Sequence, residues 1–373
     1  MYKLLMMLFA ASGVLSTQTP VANPGEPYRI VAAGTSALES KLNEAAGAGY
    51  RLILADGAEK RQITLLLEKV SEAEPYAYKV LSTNRISTMQ REIDQYATDG
   101  YRVVPRASFG LFVVLEKPPQ PPPSPKYKLV AATAGLTGTM EKRIAQAAQE
   151  GFSICCVHSG ADIVIMQKAL EPNAATTNPS PAYVLFTKEQ SSAMEKELNQ
   201  RAASGYRLIA GTQGQTIAGA GRRAMALFME KTSGSYSYRI VQAGEWFSEG
   251  KEATLESELN AAAFEGYRLV PGAVTEKEKA AKGGVFGRAV RDTLAPTVVT
   301  ATMNLLAATE IVAVMERGPE PLSRYEYRIG LAKQAELSQG AQDGFKPVTM
   351  ALIQNARAVP VSTLVLIMER KVP

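Results

Sequence analysis

Residues 28–69 read YRIVAAGTSALESKLNEAAGAGYRLILADGAEKRQITLLLEK, and this stretch returns in outline five more times along the chain. It opens on Tyr28, passes a Gly-aromatic pair at Gly49-Tyr50, and closes with an apolar run ending in Glu68-Lys69. The other openings are Tyr78, Tyr127, Tyr183, Tyr238 and Tyr327. The matching pairs are Gly100-Tyr101, Gly151-Phe152, Gly205-Tyr206, Gly266-Tyr267 and Gly344-Phe345. The endings are Glu116-Lys117, Gln167-Lys168, Glu230-Lys231, Glu316-Arg317 and Glu369-Arg370. Self-similarity of this kind marks a repeat architecture.

Between opening and glycine the pattern is helical. Eleven residues before each glycine stand Leu38, Met89, Met140, Met194, Leu255 and Lys333. Seven before stand Leu42, Ile93, Ile144, Leu198, Leu259 and Leu337, and three before is always alanine. Offsets of four build one apolar stripe, and the alanines predict close approach to a sheet. The glycine suits a left-handed helix end. Lys333 breaks the stripe, which predicts a short sixth helix. Ser36 with Glu39, Ser87 with Gln90, and Ser192 with Glu195 read as capping boxes, so these serines read as caps and not as nucleophiles.

The flanks, such as Tyr28-Arg29-Ile30-Val31 and Ile63-Thr64-Leu65-Leu66-Leu67, are rich in β-formers. The expected fold is therefore α+β: six tandem β-α-β-β modules, each a three-stranded mixed sheet with one helix on one face. A base begins the second strand (Arg51, Arg102, Arg207, Arg268, Lys346), and the closing acid should lie opposite it in the hairpin. The third copy has Ser153 and Gln167 instead, a paired loss that supports the contact. With strand order 1-3-2, Arg29 or Arg239 would flank the same acid.

Tyr76-Ala77-Tyr78-Lys79-Val80, Tyr236-Ser237-Tyr238-Arg239-Ile240 and Tyr325-Glu326-Tyr327-Arg328-Ile329 share one opening pattern, and Gly-Tyr-Arg-Leu, as at Gly49 and Gly266, forms a second signature. Together they resemble a small bacterial β-α-β-β domain family of unknown function, whose pattern runs Tyr-x-Tyr-Lys-Val and then Gly-Trp-Glu-Leu-Val. The resemblance implies a fold and no activity.

The expected boundaries are a signal peptide over 1–16 and modules at 27–70, 76–117, 127–168, 183–231, 236–317 and 325–370. Linkers fall at 118–126, which is proline-rich, and at 169–182. Copies one and two should form one unit, copy three a separable bead, and copies four to six another unit. Lys3 followed by the uncharged Leu4 to Leu15 fits a secretory signal and is too short for a membrane span. Export to the periplasm or the extracellular space follows, with no transmembrane span in the mature chain. Cys155 and Cys156 are the only two cysteines, and strand neighbours point to opposite faces, so no disulfide framework is expected.

The chemistry is mostly negative. Composition is that of a folded chain, with 46% hydrophobic and 21% charged residues. The charge of +5 is dispersed, which gives no nucleic-acid face. With one histidine, His158, and six scattered aspartates, neither a catalytic triad nor a metal or Ca²⁺ motif emerges. Gly214 to Gly219 has no following Lys-Ser/Thr, and Gly283-Gly284-Val285-Phe286-Gly287 has no dinucleotide fingerprint. No catalytic residue, metal or cofactor is assigned. The candidate contacts are Trp246 and Phe247 before the fifth helix, with Lys277, Lys279, Lys282, Arg288 and Arg291 in an insertion at 273–309. The plainer reading of both is a buried aromatic pair and a loop without ligand. The expectation is a non-catalytic interaction or scaffold protein, with a protein or cell-envelope component as partner. A carboxylate-dependent envelope hydrolase and an envelope structural protein stand as the alternatives.

Overall fold

The computed structural model describes residues 26–57, 62–70, 75–83, 85–107, 112–123, 125–131, 137–158, 163–168, 182–188, 191–209, 214–218, 222–243, 254–278, 309–319, 323–355 and 361–372. The expected signal segment lies outside them.

Module one is β1 (Tyr28–Gly34), α1 (Leu38–Gly47), β2 (Tyr50–Gly57) and β3 (Gln62–Lys69). Module two is β4 (Ala77–Ser82), α2 (Ile86–Thr98), β5 (Arg102–Val103) and β6 (Phe112–Lys117). Module three is β7 (Lys126–Ala131), α3 (Thr137–Gln149), β8 (Ser153–His158) and β9 (Ile163–Lys168). Module four is β10 (Tyr183–Lys188), α4 (Ser191–Ala203), β11 (Tyr206–Leu208), β12 (Gly214–Ala218) and β13 (Arg222–Lys231). Module five is β14 (Ser237–Ala243), α5 (Leu255–Phe264), β15 (Arg268–Glu278) and β16 (Thr309–Arg317). Module six is β17 (Arg324–Leu331), α6 (Gln334–Gln342), β18 (Lys346–Asn355) and β19 (Val361–Val372).

Each module forms one sheet, with its last strand between the other two, and β12 adds to the β13 edge in module four. The mixed sheet expected from sequence does not form. Every described pairing is antiparallel, because the hairpin fixes one neighbour of the last strand and the opening strand takes its other edge. First and second strands run parallel without touching. This avoids the slightly weaker parallel pairing.

The helices form as the stripe predicts. Leu38, Leu42, Met89, Ile93, Met140, Ile144, Met194, Leu198, Leu255, Leu259 and Leu337 are all buried. The alanine before the glycine is buried in the first five modules: Ala46, Ala97, Ala148, Ala202 and Ala263. Lys333 is the N-cap of the nine-residue α6, the shortest of these helices. Each helix ends on a left-handed glycine, Gly49 at φ 80° for example. The closing base then reaches back to the helix end: Lys69 donates to Ala48 O, Lys168 to Glu150 O, Lys231 to Ser204 O and Arg370 to Asp343 O. A cation at a helix C-terminus meets the negative end of the dipole.

The last strand of each module is apolar without alternation because both sheet faces are covered. Leu65 and Leu67 face α1 and reach Tyr78 of module two, while Leu66 and Leu54 pack with Leu337 and Phe345 of module six. The same interleaving joins modules two and three, three and four, four and five, and five and six. Module three, read from its linkers as a separable bead, is therefore packed on both sides. The contact between modules six and one closes the array into a ring. There the Gln334 side chain accepts from Ile30 N–H at 2.8 Å and donates to Tyr28 O at 3.1 Å and to Glu26. Arg106 donates to Val348 O, linking modules two and six, and its own carbonyl accepts from Ala55 N–H of module one. Modules two places apart approach each other only toward the axis of a ring. The second strands therefore lie on its inner side and the first strands on its outer side.

Gln334→Leu removes every described polar link from α6 to β1. It should cost about 1–3 kcal/mol for the backbone groups left unsatisfied. Hydrogen exchange should quicken at Ile30 and along β1 while the β4 and β17 amides keep their protection.

Candidate functional site

In all six modules the helix carries Glu or Gln ten residues before the glycine: Glu39, Gln90, Glu141, Glu195, Glu256 and Gln334. Three of these were read as parts of capping boxes, and the structure corrects that. Ser36 lies in a 3-10 turn (Thr35–Ala37), and α1 is capped by Ala37 and α2 by Arg85, neither with a side-chain bond. Ser87 and Ser192 are the second residues of α2 and α4. The capping box that does form, among the described residues, is Thr254 with Ser257.

The acids and amides reach outward instead, to the free edge of the next module's first strand. Glu39 accepts from Val80 N–H, Gln90 from Leu129, Glu195 from Ile240, Glu256 from Ile329 and Gln334 from Ile30, all at 2.7–3.1 Å. Four residues on, Asn43, Asn199 and Asn260 each bracket the opening tyrosine of the next module. Each accepts from its N–H and donates to its carbonyl. Where Asn is replaced by Asp94 or Ser338, the glutamine donates to the tyrosine carbonyl itself. At the joint from module three to four the pair is Glu141 and Ala145, and Glu141 accepts from Leu185 N–H at the longer distance of 3.5 Å.

A second set of contacts lies at the closing ends of the strands. Each opening tyrosine stands opposite its closing acid or amide, and the second-strand base stands on the acid's other side. The expected flanking of the acid by Arg29 or Arg239 is not seen, since these pair with Leu67 and Met315. The tyrosine hydroxyl reaches into the preceding module. Tyr78, Tyr127, Tyr183, Tyr238 and Tyr327 accept from the N–H groups of Leu52, Val103, Ile154, Leu208 and Leu269, at 2.7–3.2 Å. Burial raises the pKa of all five phenols, so they remain neutral.

The register of base against acid is as expected, but the ion pairs cross between modules. Arg51 pairs with Glu116, Arg207 with Glu316 and Arg268 with Glu369. Each of these arginines also stacks on the first tyrosine of the next Tyr-x-Tyr: Tyr76, Tyr236 and Tyr325, at 5.1, 4.8 and 4.6 Å from the ring centres. Glu116 holds a second arginine, Arg102 of its own module. Its side chain is only 3% exposed, and a carboxylate that buried requires such pairing.

The closing ends of modules four, five and six border a groove of about 550 Å³. Arg207, Glu230, Tyr236, Arg268, Glu316 and Arg317 give it polar walls, and Ile209, Pro271 and Pro319 give it apolar ones. Burial raises the pKa of Glu230, with Arg207 opposing the rise.

Of the residues singled out from sequence, Lys277 lies in β15 opposite Glu310. Trp246, Phe247, Lys279, Lys282, Arg288 and Arg291 fall outside the described residues. The insertion placed at 273–309 begins later, since β15 and β16 stay paired as far as Glu278 and Thr309. Cys155 is the extra residue of a β-bulge, so both thiols meet the same cluster between modules two and three, against the expectation of opposite faces. Both are free, and hydrogen bonding with Cys155 together with burial pushes the Cys156 thiol well up. Arg106 has φ 65°, and burial lowers its pKa to about 10. Among the described residues no cluster of His, Cys, Asp and Glu suits a metal ion, and no helix is long and apolar enough to cross a membrane. The inter-module role of the Glu/Gln position has one signal in the sequence, its presence in all six copies, including those without a serine three residues before it.

Comparison with known proteins finds no matching family model, no similar curated protein and no similar solved structure.

Tyr327→Phe leaves the buried Leu269 N–H without an acceptor and should cost about 1–3 kcal/mol. Tyr28→Phe should be nearly neutral, because the residue matching Leu269 in module six is Pro347, which has no N–H to offer. Urea titration of both variants tests the latch. A second expectation concerns pH. Glu230 titrates in the folded state above its ordinary value of 4.5, so its ionisation opposes folding. Glu230→Gln should therefore be more stable than wild type at neutral pH, and the difference should vanish as the pH falls below about 4.5. A difference that grows toward acid would contradict this sign.

Proposed function

We propose that the chain is an exported, non-catalytic interaction protein, a closed platform of six modules for a protein or cell-envelope partner. The observation that carries this reading is how the repeated polar residues are used. The Arg, Tyr and Glu positions that recur along the chain, and would draw a catalytic reading, serve the joints between modules. Glu116, Glu316 and Glu369 are each engaged by a guanidinium fork from the preceding module, which occupies the oxygens that a reacting group would need. The hairpins carry the differences between modules: β12 is added in module four, and the strands are lengthened in modules five and six. These modules are neighbours, and equivalent joints bring equivalent hairpins to the same level of the ring. Loops on a rigid scaffold are where binding concentrates. We place the partner contact on this rim, over the span holding Lys279, Lys282, Arg288 and Arg291.

A hydrolase is the second reading, and one observation favours it: the groove holds two glutamates, Glu230 and Glu316. Glu316 is bound by Arg207 and by the Tyr238 hydroxyl, and Glu230 has neither kind of contact among the described residues. A working acid–base pair needs two carboxyls set apart by their environments and both free to act. Binding fits the geometry better.

Replacing residues 279–308 by a short turn should leave a protein that still melts cooperatively and abolish cross-linking to envelope components. Capture that survives the deletion, or turnover of cell-wall glycan by the intact protein, would overturn the reading.

A further inference from the structure

The joints at which an arginine is passed forward show what the closing ends are built to hold. At Glu116 the Arg51 fork lies parallel to the carboxylate, with Nε–Oε2 at 3.2 Å and the second nitrogen to Oε1 at 2.8 Å. Glu316 and Glu369 receive Arg207 and Arg268 in the same way. Glu230 occupies the equivalent place in module four, opposite Tyr183 on one side and Arg207 on the other. It receives neither kind of partner. Module three presents Ser153 where four modules present arginine and module six lysine, and Arg207 is turned forward to Glu316. Among the described residues Glu230 has no ion pair and no hydrogen bond, although it is half-buried. It opens onto the groove of about 550 Å³, a volume within the roughly 300–1,000 Å³ of known ligand sites.

We propose that Glu230 and this groove bind an arginine side chain of a partner polypeptide, which supplies from outside the guanidinium that Ser153 does not. Three observations select this ligand. Glu230 is the groove carboxylate that no guanidinium fork engages, since Arg207 is held by Glu316 and Arg268 by Glu369, and Arg207 acts on Glu230 only through space. A planar fork matches a carboxylate with two parallel bonds, which an ammonium cannot do. The walls beside it, Leu208, Ile209 and Pro271, suit the methylene stem of the same side chain. Arg317 stands in the same groove stacked on Tyr267, which disfavours a run of cations and favours a single arginine among neutral residues. The site lies at the closing ends of the strands and owes nothing to the hairpin insertions, so it stands or falls apart from the platform reading.

The test titrates N-acetylargininamide, N-acetyllysinamide and the citrulline analogue into the full chain, following chemical shifts or calorimetry. Argininamide should bind at least tenfold more tightly than citrullinamide, and more tightly than lysinamide. Glu230→Gln should abolish that preference while the protein stays folded, as the natural Gln167 in module three leads one to expect. Ser153→Arg should place a guanidinium on Glu230 from within, raising the melting temperature and excluding the probe. Equal binding of arginine and citrulline, or arginine binding undiminished in Glu230→Gln or in Ser153→Arg, would overturn the proposal.

Discussion

An open strand edge is the constraint from which the rest of this structure follows. With the last strand in the middle of each sheet, the first strand shows solvent a row of unpaired N–H and C=O groups, an invitation to pair with other chains. The preceding module's helix covers that edge with side chains that imitate a strand, an acceptor at Glu39 or Gln90 and a bracket at Asn43 or Asn199. A linear array would leave one first strand bare and one helix idle. Closing the ring satisfies both at once, because α6 covers β1. Linear repeat proteins need polar caps at their ends, and this chain needs none.

Magnitudes separate adhesion from alignment. Each hydrogen bond of a joint contributes about 0.5–1.5 kcal/mol net. Each fully buried aliphatic side chain, such as Leu54 or Leu66 against Leu337, contributes about 1.5–3 kcal/mol. Burial therefore holds neighbouring modules together, and it would tolerate sliding along an apolar face. The polar contacts remove that freedom. A one-residue slip would put the Tyr78 hydroxyl out of reach of Leu52 and leave the buried Glu116 without Arg51. Desolvated polar groups are weak glue and strict registers, since their cost when unmatched exceeds their gain when matched.

What was legible in the sequence was whatever repeats within a module. The stripe of Leu38 and Leu42, the left-handed Gly49, and the pairing of Arg51 opposite Glu68 all follow from local periodicity and all stand in the structure. What the reading missed is whatever repeats between modules. A glutamate three residues after a serine is ambiguous between capping its own helix and serving another strand, and local rules can only propose the first. The continuous apolar run of β3 was a clue to two covered faces, but periodicity alone does not distinguish a buried strand in a ring from one in a bead. The groove at Glu230 needed three dimensions. Its meaning depends on Arg207 turning away from its own register partner.

The variations between joints also have a spatial logic. Three joints carry the full Tyr-x-Tyr, Arg and Glu set, whereas the joints from three to four and from six to one carry neither the leading tyrosine nor the arginine. In a ring of six these two lie opposite each other, so the molecule consists of two arcs of three modules meeting at two seams. Local opening follows the weakest contacts, and the seams are not equivalent. The first is bridged by the chain itself, residues 169–182, which keeps its two sides at high effective concentration even when the contacts part. The second has no covalent link. There Pro347 removes the N–H that the other tyrosines use, and among the described residues the hydrogen bonds from α6 to Tyr28, Ile30 and Glu26 all come from Gln334. A tether makes up for a poor joint at one seam, and a three-way side-chain clamp replaces the tether at the other.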